Sequence, residues 1–473
     1  MKKHQKAVFF FRRDLRLEDN LGLLTALEES TEVIPAFVFD PKQTDRKQNE
    51  YFSAPAFHFL LSSLAELDEA LQNRGSKLYV FSGDPAEVTK ELIRNDDVDA
   101  VYVNKDYTPF ARTRDKAIAD VCESADVSFT RHDDCTLSPI EDIRTGQDKL
   151  YSVFTPFMRN AATYDVPGPR KNNFQNYFSS SLKTKTAKLA DFDVSKELDT
   201  DALVLNGGRE EALTILSEND YLQQYKDQRN LPAERGTSRL SAHHKFGTIS
   251  IRETYHMAVE ASSKGSQFVS ELYWRDFYYY IAYHFPIVFK GSFLPWAKHL
   301  KWENNKKQFE AWCEGKTGVP MVDAGMRELN ETGWMHNRMR MVVASYLTKN
   351  LLINWQWGER YFASKLIDYD PAQNNGGWQW SASTGADPRP LRIFNPYTQA
   401  TKYDPDAAYI KKWVPELEGV SDETLTDGKT QDFSQLAPEY PTPLIDQKES
   451  YHRAMETYKA AKEAWRATQE KSD

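Results

Sequence analysis

The sequence is organised around a stretch that contains GWMHNRMRM (Gly333–Met341), NWQWGERYF (Asn354–Phe362) and LIDYDPAQNNGGWQW (Leu366–Trp380), and closes with RIFNP (Arg392–Pro396). Six tryptophans in or near this stretch lie among arginines and amides: Trp302, Trp334, Trp355, Trp357, Trp378 and Trp380. This composition is too polar for a core and too aromatic for a solvated surface. It favours a pocket for a flat ligand with polar edges, although each tryptophan alone could equally be a helix-packing anchor.

At 473 residues the chain is too long for one ordinary core, so two domains are expected. Cys122, Cys135 and Cys313 are scattered without a CxxC, which indicates neither a metal site nor a disulfide framework. The early apolar run, Ala7–Phe11, is too short for a signal peptide or a membrane span. A reduced, cytoplasmic protein without membrane association is predicted.

The net charge of −9 argues against a protein that coats nucleic acid indiscriminately. Its distribution is uneven, because Gly333 to Lys412 carries ten Lys/Arg against six Asp/Glu. A local basic surface beside an aromatic pocket is compatible with an anionic ligand or a DNA backbone, although charge clusters are usually solvated faces.

Residues 1–132 alternate short β-branched or aromatic runs with amphipathic segments. Strands are predicted at Ala7–Phe11, Val33–Phe39, Leu78–Ser82, Ala100–Asn104 and Ser128–His132, and helices at Leu21–Glu29, Ala54–Asn73, Pro85–Arg94 and Pro109–Ser124. This alternation predicts an α/β domain with a parallel, five-stranded, Rossmann-like sheet. RRDLRLEDN (Arg12–Asn20) follows the first strand, at the sheet edge where ligands bind, but neither GxGxxG nor a Walker A sequence is present.

Residues 133–200 lose this period and are interpreted as a connector between domains; they include LYSVFTPF (Leu150–Phe157). Residues 201–473 are helical by period, as in Glu210–Tyr225 and Trp334–Asn350. All eleven tryptophans lie from Trp274 onward, and this shift in composition supports a second, all-α domain.

Five groups of residues are candidates for carrying chemistry. Thr237–Ser241, after Tyr225 and Arg229, offers hydroxyls, a guanidinium and backbone N–H groups for a phosphate, although an ordinary helix cap is the favoured interpretation of that motif alone. Trp334, Arg338 and Met341 share one face of a predicted helix, with Asn337 beside them. Glu271, Trp274 and Arg275 lie within one helical turn, where an indole can desolvate the carboxyl group.

Trp378 and Trp380, two residues apart in a helix, point about 200° away from each other. Of Asp368 and Asp370, one could pair with Arg340.

Eight motifs, in this order and spacing, make nearly the whole chain resemble the photolyase/cryptochrome flavoproteins, with the microbial class I cyclobutane pyrimidine dimer enzymes as the most similar group. The motifs are RRDLRLEDN, AERGTSRLS, ELYWRDFY, EGKTGVPMVDAGMREL, TGWMHNRMRM, GERYF, LIDYDPAQNNGGWQW and RIFNP. The resemblance implies an α/β antenna domain (1–132), a connector (133–200) and a helical FAD-binding domain (201–473).

The resemblance also implies roles for individual residues. Those implied to bind FAD are Tyr225, Thr237, Ser238, Arg239, Leu240, Ser241, Arg340, Asp368, Asp370 and Asn374, with Arg340 paired to Asp368 and Asn374 facing the flavin N5. Those implied to form the electron-transfer chain from the flavin to the surface are Trp378, Trp355 and Trp302. Those implied to form the dimer pocket are Glu271, Trp274, Asn337, Arg338, Met341 and Trp380, and those near the DNA rim are Arg229, Arg275, Arg392 and Lys402.

The implied activity is that of a deoxyribodipyrimidine photo-lyase, a carbon–carbon lyase. Photoexcited reduced FAD donates an electron to a flipped-out dimer, the cyclobutane ring opens and the electron returns. The implied partner is DNA containing pyrimidine dimers, bound by a monomer that is cytoplasmic and nucleoid-associated when bound to DNA.

At two places the sequence departs from patterns found in other members of the family, and these departures bear on the antenna chromophore and on the type of DNA lesion. The Asn-Glu pair with which folate-binding members hold their pterin is replaced here by Phe110 and Ala111, so a standard methenyltetrahydrofolate site is not expected, and another antenna chromophore, or none, is left open. Relatives that act on (6-4) photoproducts carry histidines where this chain has Met341 and its neighbours. The alternative function is a cryptochrome-type blue-light photoreceptor, which usually adds a long signalling tail, and a plain helical flavoprotein is a third.

Overall fold

The N-terminal region forms a parallel sheet because its apolar runs are short, buried on both faces and separated by helices. The computed structural model describes residues 2–263, 265–388 and 391–470. Within these residues one sheet has five parallel strands in the order β3-β2-β1-β4-β5. The strands are β1 His4–Phe11, β2 Ser30–Phe39, β3 Tyr79–Ser82, β4 Ala100–Asn104 and β5 Ser128–His132. The predicted α/β domain with a five-stranded parallel sheet is confirmed.

The middle strand β1 packs helices on both of its faces. Phe9 and Phe11 contribute to the core on one side, and Val8 and Phe10 to the core on the other. The strand order reverses direction at β1, so its carboxyl end opens the crevice where open α/β sheets place ligands and partners. The helices of this region are α1 Leu21–Glu29, α2 Pro41–Thr44, α3 Ala54–Gln72, α4 Pro85–Asp96 and α5 Pro109–Ser124.

The rest of the described chain is helical, as predicted. Its helices are α6 Phe154–Ala161, α7 Arg209–Ser217, α8 Tyr221–Gln228, α9 Ser241–Phe246, α10 Ile251–Ala261, α11 Gln267–His284, α12 Lys306–Cys313, α13 Pro320–Thr332, α14 Asn337–Ser345, α15 Trp355–Lys365, α16 Pro371–Ser381, α17 Pro396–Tyr403, α18 Ala408–Trp413, α19 Asp422–Thr426 and α20 Gln447–Gln469. Among the helices of the described ranges, none combines the length and the apolar character that crossing a membrane requires.

Two predicted helices are wrong in their bounds. The predicted helix Glu210–Tyr225 is divided into α7 and α8 at Asn219 and Asp220, residue types that favour turns. The helix predicted at Trp334–Asn350 begins only at Asn337, as α14. The His336 side chain caps it by accepting from the Arg338 N–H at 3.1 Å. Its last turn, Tyr346–Asn350, is a π-helix.

A glycine allows α15 and α16 to approach closely. A Cβ atom added to Gly358 would lie 2.1 Å from Cη2 of Trp378 and 2.6 Å from Cδ2 of Leu347. The Trp378 ring therefore lies directly against the α15 backbone. This contact fixes the position of the indole within the helical core.

We expect Gly358→Ala to destabilise the protein by about 1–3 kcal/mol, because overpacking outweighs the higher helix propensity of alanine. Thermal unfolding of the two proteins measures the change. Gly419→Ala is the control, since a Cβ atom there would meet nothing within 4 Å. An unchanged or raised melting temperature for Gly358→Ala would contradict the close contact.

Candidate functional site

One cavity of about 520 Å³ gathers most of the residues singled out in the sequence. It lies between α11, α14, α15 and α16, and its size is within the range of small-molecule and cofactor sites. The predicted site residues that line it are Arg229, Ser241, Glu271, Trp274, Arg275, Asn337, Arg340, Met341, Asp368, Asp370, Asn374, Trp378 and Trp380.

Asp368 carries an unsatisfied acceptor in this cavity. Arg340 Nη2 donates to Asp368 Oδ2 at 2.8 Å, and Arg340 Nε donates to the Met335 carbonyl oxygen. The other carboxylate oxygen, Oδ1, is buried and has no hydrogen-bond partner. A buried acceptor left unsatisfied is costly, so this atom fits a ligand that brings an N–H or O–H donor.

Asp370, two residues later, has no free oxygen. Oδ1 caps α16 by accepting from the backbone N–H groups of Ala372 and Gln373, at 2.8 and 3.1 Å. Oδ2 accepts from the Arg13 guanidinium and the Tyr279 hydroxyl. Burial alone would raise the pKa of Asp370, but the positive charge of Arg13 and the Tyr279 hydrogen bond hold it well below its usual range. Asp370 is therefore ionised and committed to positioning α16.

Asn374 is oriented from behind by Glu359 on α15. Asn374 Nδ2 donates to the Glu359 backbone oxygen at 3.0 Å and to its side-chain Oε1 at 3.1 Å. The amide nitrogen is thus directed at Glu359, and Asn374 Oδ1 remains to accept a hydrogen bond in the cavity. Glu359 is only 7% exposed, and burial raises its pKa to about 7.

The raised pKa of Glu359 predicts a pH dependence of stability. The folded protein keeps this proton up to about pH 7, whereas the unfolded chain releases it near 4.5, so stability is lost as pH rises between these values. Glu359→Gln keeps the acceptor for Asn374 but does not titrate. The stability of the wild type relative to this variant should fall by about 3 kcal/mol over that range.

Thermal unfolding of both proteins at pH 5 and pH 8 measures this difference. We expect the wild type to gain on the variant at pH 5. An equal difference in melting temperature at the two pH values would show that Glu359 titrates normally.

The two tryptophans of α16 face different surroundings, as their spacing predicts. Trp378 is buried and packs edge-on against Phe362, with ring centroids 4.9 Å apart. Trp380 is half-buried and lines the cavity, as does Trp274 on α11. A ligand in the cavity thus meets two partly open indoles from two helices.

Glu271 lies beside Trp274 on the cavity wall. Its Oε1 accepts from the Arg229 guanidinium and from Gln267 Nε2, the latter at 2.7 Å. Asn337 and Met341, one helical turn apart on α14, complete this part of the wall. These groups provide a carboxylate, an amide and a thioether around the two indoles.

The remaining tryptophans of the predicted electron path lie in the adjacent core. Trp355 is 3% exposed in the same hydrophobic cluster as Trp378, and its Nε1 donates to Ser292 Oγ at 3.3 Å. Trp302 is half-buried and packs against the edge of this cluster. Exposure therefore increases from Trp378 and Trp355 toward Trp302.

Arg275 and Arg338 lie in places that their predicted roles did not anticipate. Arg275, predicted on or near the rim, lines the cavity; its guanidinium is 13% exposed, donates to the carbonyl oxygens of Cys135 and His244, and lies over the Tyr279 ring. Arg338 is absent from the lining of the cavity. It donates to Asn230 Oδ1 at 2.5 Å and lies over the Tyr403 ring.

The predicted rim is otherwise basic and accessible. Lys402 is exposed and lies over Tyr403, the ring that Arg338 also covers. Arg392 is exposed beside a small neighbouring pocket that Trp380 also lines. This surface presents Arg338, Lys402 and Arg392 outside the cavity.

The predicted phosphate-binding segment reaches the cavity through Ser241, which begins α9. Ser238 Oγ accepts from the Leu240 N–H at 3.3 Å, and Arg239 has a left-handed backbone with its guanidinium over Trp334. Leu240 and Tyr225 are buried, and Thr237 is half-buried. None of these hydroxyls caps α9, so the helix-cap interpretation is not supported.

Three functional contacts were missed in the sequence. Glu359 lies within GERYF, where only its place among aromatic residues could have indicated a buried carboxyl group. Arg13 lies within RRDLRLEDN and reaches Asp370 through tertiary contact alone. Lys245 lines the cavity from α9, and burial lowers its pKa to about 8.

Comparison with known proteins gives two family-model matches. Residues 7–172 match the DNA photolyase model, and residues 268–460 match the model described as the FAD binding domain of DNA photolyase. The second match contains α11, α14, α15 and α16, which form the cavity.

Individual relatives match along nearly the whole chain. A deoxyribodipyrimidine photo-lyase of a Synechococcus species is 38% identical, with 93% of each chain covered. The crystal structure of an archaeal photolyase from Sulfolobus tokodaii, which contains two FAD molecules, is 41% identical with a TM-score of 0.87, covering 96% of this chain and 100% of that one. A Synechocystis cryptochrome is 27% identical with a TM-score of 0.86, covering 97% and 100%.

Proposed function

The chain belongs to the DNA photolyase family, and we infer that it is a deoxyribodipyrimidine photo-lyase that uses light and reduced FAD to repair cyclobutane pyrimidine dimers in DNA. The observation that carries this inference is the single cavity in which the polar group of Asp368 and Asn374 adjoins the open indoles of Trp274 and Trp380. The end of the cavity at Asp368 and Asn374 suits a polar-edged ring. The end at Trp274 and Trp380 suits two stacked bases.

When bound and reduced, FAD supplies the photoexcited electron that side chains cannot provide. The chain's residues fit it: Asp368 Oδ1 offers a buried acceptor to a ring N–H, and Arg340 holds Asp368 in place. We propose that Asn374 accepts from the flavin N5 side while Glu359 holds its amide. Phosphates and the ribityl chain are assigned to Tyr225, Thr237, Ser238, Arg239, Leu240 and Ser241, and Asp370 acts by positioning α16.

Flipping a dimer out of the duplex costs a few kcal/mol, and less where the lesion is already badly stacked. Stacking on Trp274 and Trp380 returns about 1–3 kcal/mol per base. We propose that the Glu271 carboxylate accepts a hydrogen bond from a thymine N3–H while Asn337 and Met341 shape the pocket. Trp378, Trp355 and Trp302 are proposed to carry electrons between the surface and the flavin.

Arg338, Arg392 and Lys402 outside the cavity, and Arg229 on its wall, are proposed to hold DNA phosphates without reading the base sequence. Arg275 is left out because its guanidinium is already committed to two backbone carbonyls. We also propose that the enzyme acts as a monomer. We further propose a cytoplasmic enzyme that associates with the nucleoid.

We retain the division into an antenna domain (1–132), a connector (133–200) and a catalytic domain (201–473) as a proposal. Phe110 and Ala111 do not provide the amide and carboxylate of a folate site. The Sulfolobus tokodaii relative holds two FAD molecules, which supports a second light-harvesting chromophore in this chain as well, of a class still to be identified.

The test of function is repair of a thymine-dimer oligonucleotide by the reduced FAD-loaded protein, in blue light and in the dark. Light-dependent recovery of intact thymines is expected, and the dark sample should stay unrepaired. A photoreducible bound flavin without repair would instead indicate the cryptochrome-type photoreceptor. A protein that binds no flavin would contradict both.

We expect the double variant Trp274→Ala, Trp380→Ala to bind dimer DNA at least about 30-fold more weakly, because two stacking contacts are lost. FAD should stay bound, since Asp368 and Asn374 are unchanged. Titration of fluorescent dimer DNA and the flavin absorbance measure the two quantities. Trp465→Ala, on α20 outside the cavity, is the control. Loss of FAD with intact lesion binding would reverse the assignment of the two ends of the cavity.

A further inference from the structure

The connector segment Tyr151–Phe154 lies behind one wall of the dimer pocket. The Phe154 ring is parallel to the Trp274 indole, with centroids 3.7 Å apart and an interplanar angle of 10°. Phe154 is 6% exposed and begins α6. One face of the indole is therefore covered by protein and is not available to a base.

The same segment is tied a second time to α11, the helix that carries Trp274. The Tyr151 N–H donates to the Tyr280 hydroxyl at 2.9 Å, and the Phe154 ring also meets Phe277 edge-on at 5.8 Å. These contacts fix the segment along the side of the helix, so Phe154 cannot shift without disturbing α11.

The segment Tyr151–Phe154 is also hydrogen-bonded to the loop that follows α16. The Asp387 N–H donates to the Ser152 carbonyl oxygen at 2.7 Å, and Asp387 Oδ1 accepts from the Phe154 N–H at 3.1 Å. Asp387 lies in the loop that follows α16. That loop folds back on α16, because the N–H groups of Thr384 and Gly385 both donate to the Gln379 carbonyl oxygen.

Helices α11 and α16 are also in direct contact with each other. Tyr278, one turn after Trp274 on α11, packs so closely on α16 that a Cβ atom at Gly376 would lie 2.1 Å from its ring. Gly376 is one turn before Trp380. The two indoles are thus linked by a direct helix contact on one side and by the connector on the other.

We propose that Tyr151–Phe154, with Asp387, forms a brace that holds the Trp274 ring in place and ties α11 to the loop after α16, and that Phe154 is a positioning residue for lesion specificity. The proposal rests on the proposed function of the cavity. A dimer needs both rings at once, whereas a single base or undamaged DNA does not. Rings held in place before binding lose less rotamer freedom when the dimer enters.

The first variant is Phe154→Leu, which removes the parallel ring but keeps an apolar side chain. Its matched control is Phe157→Leu on the same helix. Phe157 is 0% exposed and packs against Phe277 and Tyr280, at 5.3 and 4.9 Å. Both variants remove a buried ring, but only Phe154 covers Trp274 in a parallel stack.

We expect Phe154→Leu to weaken dimer-DNA binding by up to about tenfold, because an aromatic pair is worth up to about 1.5 kcal/mol. Its affinity for undamaged DNA and its FAD content should stay as in the wild type. Phe157→Leu should lower the melting temperature without changing the ratio of dimer to undamaged affinity. Phe154→Tyr, which keeps the flat ring, should restore that ratio.

A double-mutant cycle with Trp274→Ala separates positioning from general destabilisation. If Phe154 acts through Trp274, Phe154→Leu has little further effect on dimer affinity once the indole is gone. The brace is overturned if Phe154→Leu and Trp274→Ala reduce dimer affinity independently of each other. It is also overturned if Phe157→Leu lowers the ratio of dimer to undamaged affinity as much as Phe154→Leu does. If Phe154→Leu loses FAD, Phe154→Met takes its place in the same cycle. Failure of the proposed function is distinguishable, because the wild type itself would then show no preference for dimer DNA.

Discussion

The ion pair between Arg13 and Asp370 is the contact on which the site depends. Arg13 leaves the carboxyl end of β1, and Asp370 begins α16, which carries Asn374, Trp378 and Trp380. One carboxylate therefore caps the helix with one oxygen and joins it to the sheet with the other. Removing either partner of such a buried pair typically costs about 3–5 kcal/mol, because the remaining charge is left without compensation.

A second set of buried charges holds the same two parts of the chain together. Arg252 of α10 donates to Asp19 at 3.0 Å and to Asp134 at 2.7 Å, and Arg16 donates to Asp134 at 2.5 Å. All four side chains are at most 4% exposed. Buried ion pairs add little net stability, but an altered orientation of the two parts would leave several charges unpaired. The network therefore favours one arrangement of the sheet against the helices.

The local sequence pattern was sufficient to predict much of the fold. The sheet was predictable because buried parallel strands read as short apolar runs between helices, and the opposite directions of Trp378 and Trp380 follow from the helical period. Contacts between distant segments were not predictable. Arg13 and Asp370 are 357 residues apart, and Arg275 has backbone carbonyls as partners, which no sequence pattern identifies. The late start of α14 depends on a cap by His336, a residue type outside the usual capping set.

If the cavity binds a dimer as proposed, the energetics of binding favour an indole that is held in place beforehand. Extruding a dimer costs a few kcal/mol, and the two stacks return a similar amount, so the balance is narrow. Immobilising a free side chain on binding would cost about 0.5–1.5 kcal/mol, a large share of that balance. Phe154 and Tyr278 restrict the Trp274 ring before any ligand arrives. On the proposed assignment, the segment Tyr151–Phe154 contributes to recognition by restricting the motion of Trp274, a side chain proposed to contact the lesion.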